Sequence, residues 1–301
     1  WRLLIKRAVG LGNVLMLLPV LESVKSTNPA LRFALLTTPA IAPLLSAVNF
    51  LDAVETDAGA AERYDWLLDL DATTLSPELA EEGERVHKRD VFAELFCLVP
   101  EEVEAGWRLG LPPRPESAAL DALPAERYLV LAGEATHRFR ELPDDLLVVL
   151  DSFAQAAEIP LVVVGQKTSP PLKSALDLRG QTSLVELAWV VAGAGLVVGA
   201  DSGVVHLAGA TGAPIAAIFG GIDPLLRLQY YQNWLALQAA LPCAPCNKHE
   251  ERCDFRIDCL SLLPARLVWE ALLAQWKAPR LRGVVRLQTE QEDTSASGEA
   301  P

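Results

Sequence analysis

Leu196-Val-Val-Gly-Ala-Asp-Ser-Gly-Val-Val-His206 is the stretch that decides how this chain is read. An apolar run ends at Gly199, and Asp201-Ser202-Gly203 turns into what reads as a short helix over 203–210. The first N–H groups of a helix have no partner within it. Together with the helix dipole they form an anion site. Gly203 allows a phosphate close to the backbone. Ser202 suits the N-cap position and could also donate to a phosphate oxygen. His206 falls on the first turn, and Asp201 could accept hydrogen bonds from sugar hydroxyls. An ordinary Asp/Ser helix cap has the same appearance, so the turn alone leaves both readings open.

The next residues extend the pattern. In Ala208-Gly-Ala-Thr-Gly-Ala-Pro-Ile-Ala-Ala-Ile-Phe-Gly-Gly-Ile-Asp-Pro224 a helix stops at Gly212 and a strand runs over 214–219. Gly220-Gly221 ends that strand, and Asp223 follows at its carboxyl end. Two neighbouring strands then present small residues and a carboxylate on one edge. That suits a nucleotide-linked sugar, with phosphates on N–H groups and hydroxyls on carboxylates. Asp223 reads equally well as an Asp-Pro turn residue.

Further out, strands at 128–132 and 161–164 alternate with helices at 144–157 and 184–192, and 263–275 reads as the last helix. The first half alternates likewise, with strands at 3–9, 32–36 and 66–70 and a helix at 14–25. Strand–helix alternation implies parallel sheets covered by helices. The Pro-rich stretch 112–127 reads as a linker. The expectation is an α/β protein of two Rossmann-like, doubly wound domains facing a central cleft. Their spans are 1–125 and 126–287, followed by a disordered acidic tail at 288–301.

Composition narrows the classes. The chain has 301 residues, 51% of them hydrophobic, with enough apolar content for a large core. Net charge is −13. Residues 51–105 hold 16 Asp/Glu against 4 Lys/Arg, and no basic domain of the kind a nucleic-acid binder carries is present. Residues 1–50 are instead net basic, through Arg2, Lys6, Arg7, Lys25 and Arg32 against Glu22. They could face a phosphorylated or membrane-bound substrate, or could simply be solvated. The longest apolar run, Leu187–Ala200, has 14 residues and three glycines, too short to span a bilayer. The N-terminal residues read as a strand without a leader's small-residue cleavage site. The expectation is a soluble, cytoplasmic protein.

Cys243, Cys246, Cys253 and Cys259 form C-x2-C-x6-C-x5-C within the loop 242–262. Four cysteines this close, opening on CxxC, suit a tetrahedral thiolate site for structural zinc or iron. Free or redox-active thiols and disulfides are the other readings, the last disfavoured in a reducing compartment. Cys97 reads as a core thiol. His87, His137 and His249 have no useful spacing, and the tryptophans read as core or helix-packing residues.

Taken together, Asp-Ser-Gly-x-x-His at 201–206 and Phe-Gly-x-x-Asp-Pro at 219–224 resemble glycosyltransferase family 9, the ADP-heptose:lipopolysaccharide heptosyltransferases. Ala8–Pro19 is similar to the family's first strand, glycine turn and helix, and 177–188 to its Gly-x-Thr-Ser-Leu-x-Glu-Leu segment. Order and spacing match over 128–225 and the first 40 residues. The middle, 45–125, is only loosely similar. The resemblance implies a GT-B fold with an acceptor-binding N-terminal domain and a nucleotide-sugar-binding C-terminal domain. It also implies an inverting displacement without a catalytic metal. Asp201 would contact the donor sugar, and Ser202 and Gly203 would hold its diphosphate with His206 close by. Arg140 would neutralise the leaving diphosphate. Thr182, Ser183 and Leu184 would line the adenine pocket, and Gly165 would lie near the ribose. Ser183 is equally a helix cap, and Arg140 by itself a surface residue.

Two positions depart from the family. Its first turn usually carries an Asp that serves as general base, and here the residue is Asn13, whose amide cannot take up the acceptor's proton usefully. Asp71, with Asp69 two residues before it on the same face, is the candidate substitute base, or else a solvated strand-end residue. Second, Leu131–Thr136 replaces a common His-Pro-Gly turn, so Glu134 and Thr136 would alter how the donor is held. The expected activity is transfer of a heptose or related sugar from a nucleotide diphosphate, ADP-heptose first, to a lipopolysaccharide-type, anionic or lipid-linked glycan. Contact with the inner face of the membrane goes with such an acceptor. A catalytically weakened, nucleotide-sugar-binding scaffold is the alternative raised by Asn13. A nucleotide-sugar epimerase fits the motif order less well.

Overall fold

The computed structural model describes residues 2–8, 10–71, 86–167, 170–247, 258–278 and 282–289. The expected tail from 290 onward lies outside the described residues, and so does Cys253.

The N-terminal sheet has four parallel strands, β1 (Arg2–Lys6), β2 (Arg32–Leu36), β3 (Ala53–Glu55) and β4 (Trp66–Asp69), in the order β3-β2-β1-β4. The second sheet has seven parallel strands in the order β11-β10-β9-β8-β5-β6-β7. These are β5 (Leu129–Ala132), β6 (Leu161–Val163), β7 (Leu176–Asp177), β8 (Leu196–Ala200), β9 (Ile215–Phe219), β10 (Trp234–Ala239) and β11 (Gly283–Leu287). In chain order the strands first walk outward on one side, then cross to the other side of the first strand. That makes a switch point between β1 and β4 and a second between β5 and β8. A ligand crevice is expected beyond the carboxyl ends of the strands at such points.

The central strands β5, β6, β8 and β9 of the larger sheet are apolar throughout, as burial on both faces requires. On one face lie α4 (Asp144–Ala156) and α8 (Ala265–Lys277), whose Leu146, Leu150, Val268 and Leu272 share a core with Leu131, Val198 and Ile218. The other face is covered by α5 (Leu184–Ala192) and α6 (Gly203–Thr211). That core continues without a break into the N-terminal half through α1 (Leu11–Thr27), which packs on α6 and on α2 (Lys88–Leu95).

The linker reading of 112–127 needs one amendment. It contains a helical turn, α3 (Ala118–Asp121), which buries Leu120 against the core and packs on α5. Cys97 is not a core thiol. It follows the last turn of α2 in the left-handed conformation (φ 57°) and is exposed. Its N–H and that of Leu98 close the helix end onto Glu94 and Ala93, and this cap turns the side chain outward. Trp66 is likewise on the surface, 64% exposed on the edge strand β4. No helix among the described residues is long and apolar enough to cross a membrane.

Candidate functional site

The Asp201–Gly203 turn lies at the end of β8, at the switch point of the larger sheet. Gly203 opens α6, and its N-terminus faces the glycine turn that opens α1. A Cβ on Gly203 would stand 3.2 Å from Leu11 Cβ, and one on Gly12 would stand 2.5 Å from His206 Cδ2. Glycine is therefore required at Gly12 for the two halves to meet this closely. Asn13 sits in the first turn of α1, its N–H bonded to Gly10 O.

Asp201 is buried between two arginines. Arg140 Nη1 lies 3.3 Å from Oδ2, and Arg227 Nε lies 3.5 Å from Oδ1. Oδ2 is ion-paired without a hydrogen bond of good geometry. Ser202 occupies the N-cap position of α6, but its side chain makes no capping bond, and Oγ is buried without a hydrogen-bond partner among the described residues. An unmet hydroxyl beside an open helix start marks a place for a ligand atom. Phe139, Arg140, Asp201 and the Phe219–Ile222 turn line a cleft at this edge.

His206 is buried on α6, and its Nδ1 is 2.9 Å from Tyr231 Oη. Burial pushes its pKa down to about 4, although the Asp201 charge pulls the other way, so the ring is neutral at pH 7. Lys88, at the start of α2, joins Arg140 and Arg227 in the cationic field on that ring. His87, the N-cap residue of α2, is also held neutral by burial, at about 3. Its ring packs edge-on against Tyr230, whose hydroxyl donates to both Asp90 oxygens at 2.7 and 2.8 Å. The Arg89 guanidinium lies over the Tyr230 ring. These contacts tie α2 to the C-terminal half. Arg227, Tyr230 and Tyr231 were not legible as site residues, because none lies at a motif spacing.

Other candidates are placed separately. Asp223 makes the turn: its Oδ1 accepts from Leu225 N at 3.0 Å, and its own N–H donates to Asn247 Oδ1 at 2.6 Å. Asn247 also donates from its backbone to Gly221 O, and the side chain of Cys259 approaches Gly220. Both described ends of the cysteine loop therefore flank the Gly220-Gly221 turn. Gln238 on β10 supports that turn from below, donating to Gly220 O and Ile222 O. Ser183 is the N-cap of α5 in a capping box with Glu186, and Thr182 and Leu184 flank it, partly buried. Gly165 follows β6 at φ 149°. Beside it Glu134 accepts from Gln166 N at 2.9 Å and from Lys167 N.

Asp71 lies at the other switch point, just past β4. It is not solvated: Oδ1 is 3.3 Å from Arg7 Nη1, and Oδ2 accepts from Ala8 N at 2.9 Å. Asp69 is paired separately with Lys6 at 2.8 Å. Cys243 and Cys246 are free thiols at one described end of the loop, and Cys259 lies at the other. Among the described residues no three His, Cys, Asp or Glu side chains converge as metal ligands, and a set of four would need Cys253. A separate open depression lined by Arg2, Arg32 and Arg63 lies at the opposite edge of the N-terminal sheet, away from both switch points, with Arg32 and Arg63 engaged by Asp52 and Glu55.

Residues 152–255, which include the Asp201–Gly203 turn, match glycosyltransferase family 9 (heptosyltransferase). This is a glycosyltransferase family 9-like chain. It is 39% identical over 66 residues to lipopolysaccharide heptosyltransferase 1 of Pseudomonas aeruginosa, a match spanning 22% of this chain and 19% of that relative. Its fold is similar to that of the family 9 glycosyltransferase from Veillonella parvula, with TM-score 0.72 and 14% identity over 92% of this chain and 97% of that one. It is also similar to TibC, a dodecameric iron-containing heptosyltransferase solved with ADP-D-β-D-heptose, with TM-score 0.71 and 16% identity over 92% of this chain and 76% of that one. At these identities the structural likeness establishes the fold, which is GT-B, as the family 9-like motifs imply.

Proposed function

We propose that this family 9-like chain is an inverting glycosyltransferase that takes a nucleotide-diphosphate sugar, ADP-heptose first, and transfers the heptose to a lipopolysaccharide-type or other anionic glycan. The observation that carries the reading is the switch-point turn itself: open N–H groups at Gly203, an unmet Ser202 hydroxyl, and Arg140 and Arg227 on either side of Asp201. A diphosphate seated there would meet N–H donors and two guanidinium groups. As the acceptor hydroxyl attacks the anomeric carbon, the bond to the diphosphate breaks, and Arg140 neutralises the charge that develops on the leaving group. Asp201, held between the arginines, accepts from donor-sugar hydroxyls. Thr182, Ser183 and Leu184 line the adenine side, and Asp223 shapes the neighbouring strand end. The acceptor enters from the N-terminal half, whose first 50 residues are net basic, at the cytoplasmic face of the membrane.

The base is the open step in the chemistry. Asn13 positions the acceptor, and Asp71 receives its proton, directly or through a water. Asp71 keeps acceptor capacity while bonded to Arg7 and Ala8 N, since a carboxylate has about four lone-pair sites. The second reading, a weakened enzyme that binds but scarcely turns over, is favoured by Asn13 and by the pairing of Asp71 with Arg7. Asn13→Asp separates the two. A large gain in transfer marks the natural chain as weakened, and little change marks it as a working enzyme with another base. Loss of transfer in Asp71→Asn with donor binding intact supports Asp71, and unchanged turnover removes it.

The same proposal includes a structural zinc or iron on Cys243, Cys246, Cys253 and Cys259, bracing the Gly220-Gly221 turn, with no part in the transfer step. Elemental analysis of the purified protein tests it. The main reading is tested by calorimetry with ADP, UDP and GDP and by ADP release from ADP-heptose. Binding of ADP with sugar-dependent release supports it. Folded protein that binds none of the three contradicts it.

A further inference from the structure

Arg227 reaches Asp201 from α7 (Leu225–Leu228), a single turn of helix after Pro224. One turn does not fix its own position, because almost all its N–H and C=O groups lie outside an intrahelical ladder. What steadies it comes from the other half of the chain. His87 caps α2, its Nδ1 accepting from Arg89 N at 3.0 Å. A neutral ring with Nδ1 as acceptor carries its hydrogen on Nε2. Nε2 is buried without a hydrogen bond of good geometry, and the Arg227 backbone is the acceptor that faces it. The ring stands edge-on to Tyr230, 4.8 Å between centroids. Tyr230 is itself tied down. Its hydroxyl donates to Asp90, the Arg89 guanidinium covers its face, and its carbonyl accepts from Gly106 N at 3.1 Å. Residues 87–90 thus grip residues 227–230 across the junction of the two halves.

We infer that His87 is the positioning residue for Arg227: its Nε2–H holds the α7 turn at the Arg227 carbonyl and so keeps that guanidinium beside Asp201. The inference rests on the proposed donor cleft, and adds that the N-terminal half completes the diphosphate site by acting through Arg227. The carbonyl that is held and the guanidinium that is used belong to one residue, so a shift of the turn moves the charge directly. Arg227 is buried, with its Nε 3.5 Å from Asp201 Oδ1, so solvent does not replace the pair when the turn drifts. The imidazole is set twice, by its cap bond and by the Tyr230 ring, before any ligand arrives. A diphosphate entering the cleft therefore meets Arg227 already in place, and binding loses less free energy to ordering the site.

Two substitutions separate the roles of the two ring nitrogens. Asparagine is a good N-cap and places its amide near where Nδ1 stands, so His87→Asn keeps the cap and loses the reach to Arg227. Glutamine places its amide near where Nε2 stands, so His87→Gln keeps the reach and weakens the cap. ADP affinity is read by calorimetry on the wild type and on both variants, each also made in an Arg227→Ala background. Thermal melts and circular dichroism confirm that each variant is folded. His87→Asn should bind ADP at least about fivefold more weakly than the wild type, and His87→Gln within about twofold of it. In the Arg227→Ala background His87→Asn should lose less than about twofold further, because no guanidinium is left to position. An equal loss in both backgrounds overturns the assignment while leaving the donor cleft intact. So does an unchanged affinity in His87→Asn, and affinity kept by His87→Asn but lost by His87→Gln marks the residue as a helix cap only. Should His87→Asn not fold, Tyr230→Phe takes its place in the same comparison. It keeps a ring against His87 but releases Asp90, and should weaken ADP binding only where Arg227 is present. Failure of the folded wild type to bind ADP overturns the donor cleft itself.

Discussion

Acid should weaken this fold through two histidines well before its carboxylates titrate. His206 and His87 are buried and held neutral, at about 4 and about 3, while in the unfolded chain each titrates near 6.5. Above pH 6.5 neither state binds the proton and neither residue affects stability. As the pH falls below 6.5, the unfolded chain takes up protons that the native chain refuses, so stability drops. For His206 the loss grows until about pH 4, where the native ring protonates too. One pKa unit is about 1.4 kcal/mol, so at pH 5.0 each histidine has cost about 2 kcal/mol relative to pH 7.5. The continuous core through α1, α6 and β8 makes the two halves unfold together, so one urea transition reports both. Urea melts at pH 7.5 and 5.0 should show the His206→Gln variant losing about 2 kcal/mol less than the wild type across that interval. Glutamine can keep a hydrogen bond to Tyr231 without a titrating group. Equal losses in the two proteins would show that His206 is not buried neutral, and the close α1–α6 contact would go with it.

Three further outcomes follow from the same geometry. Gly12→Ala drives a methyl to within 2.5 Å of a ring pinned by Tyr231, and should cost about 1–3 kcal/mol in urea melts. Gln238→Leu strips Gly220 O and Ile222 O of a buried donor, and should cost about 2–4 kcal/mol while weakening ADP binding by loosening the turn. Arg140→Ala should weaken ADP binding at least about tenfold in calorimetry, and an unchanged affinity would remove Arg140 from the diphosphate site.

The parts of the fold that the sequence showed plainly are those where backbone need and side-chain pattern coincide. The strand–turn–helix at 196–210 was readable because an apolar run, a cap and a glycine fall in order, and the helix at 184–192 because Ser183 and Glu186 make its capping box. β10 and β11 are not legible in the sequence. The apolar run Trp234–Leu237 is cut off by Gln238, whose buried amide serves the neighbouring turn, and Arg286 on β11 breaks the apolar run of an edge strand. At the site, Asp201, Ser202 and Arg140 could be named from motifs. Their state could not: the two-arginine clamp needs Arg227, which is brought in by a turn of helix after Pro224 and not by spacing. Asp71 is a candidate for its place at a strand end, but its engagement by Arg7 depends on the register of β1 with β4, which only pairing reveals. His87-Lys88-Arg89-Asp90 reads as a charge run. Its burial comes from Tyr230, about 140 residues away.

The central claim is that the open N–H groups of the Asp201–Gly203 turn hold a nucleotide's diphosphate, with Arg140 and Arg227 beside them. Hydrogen–deuterium exchange with and without saturating ADP tests it most directly. The account predicts slowed exchange in peptides covering 200–206, 138–141 and 220–228, and in the one covering 182–184 beside the adenine. Protection elsewhere with none at 200–206, while ADP is demonstrably bound, would contradict it.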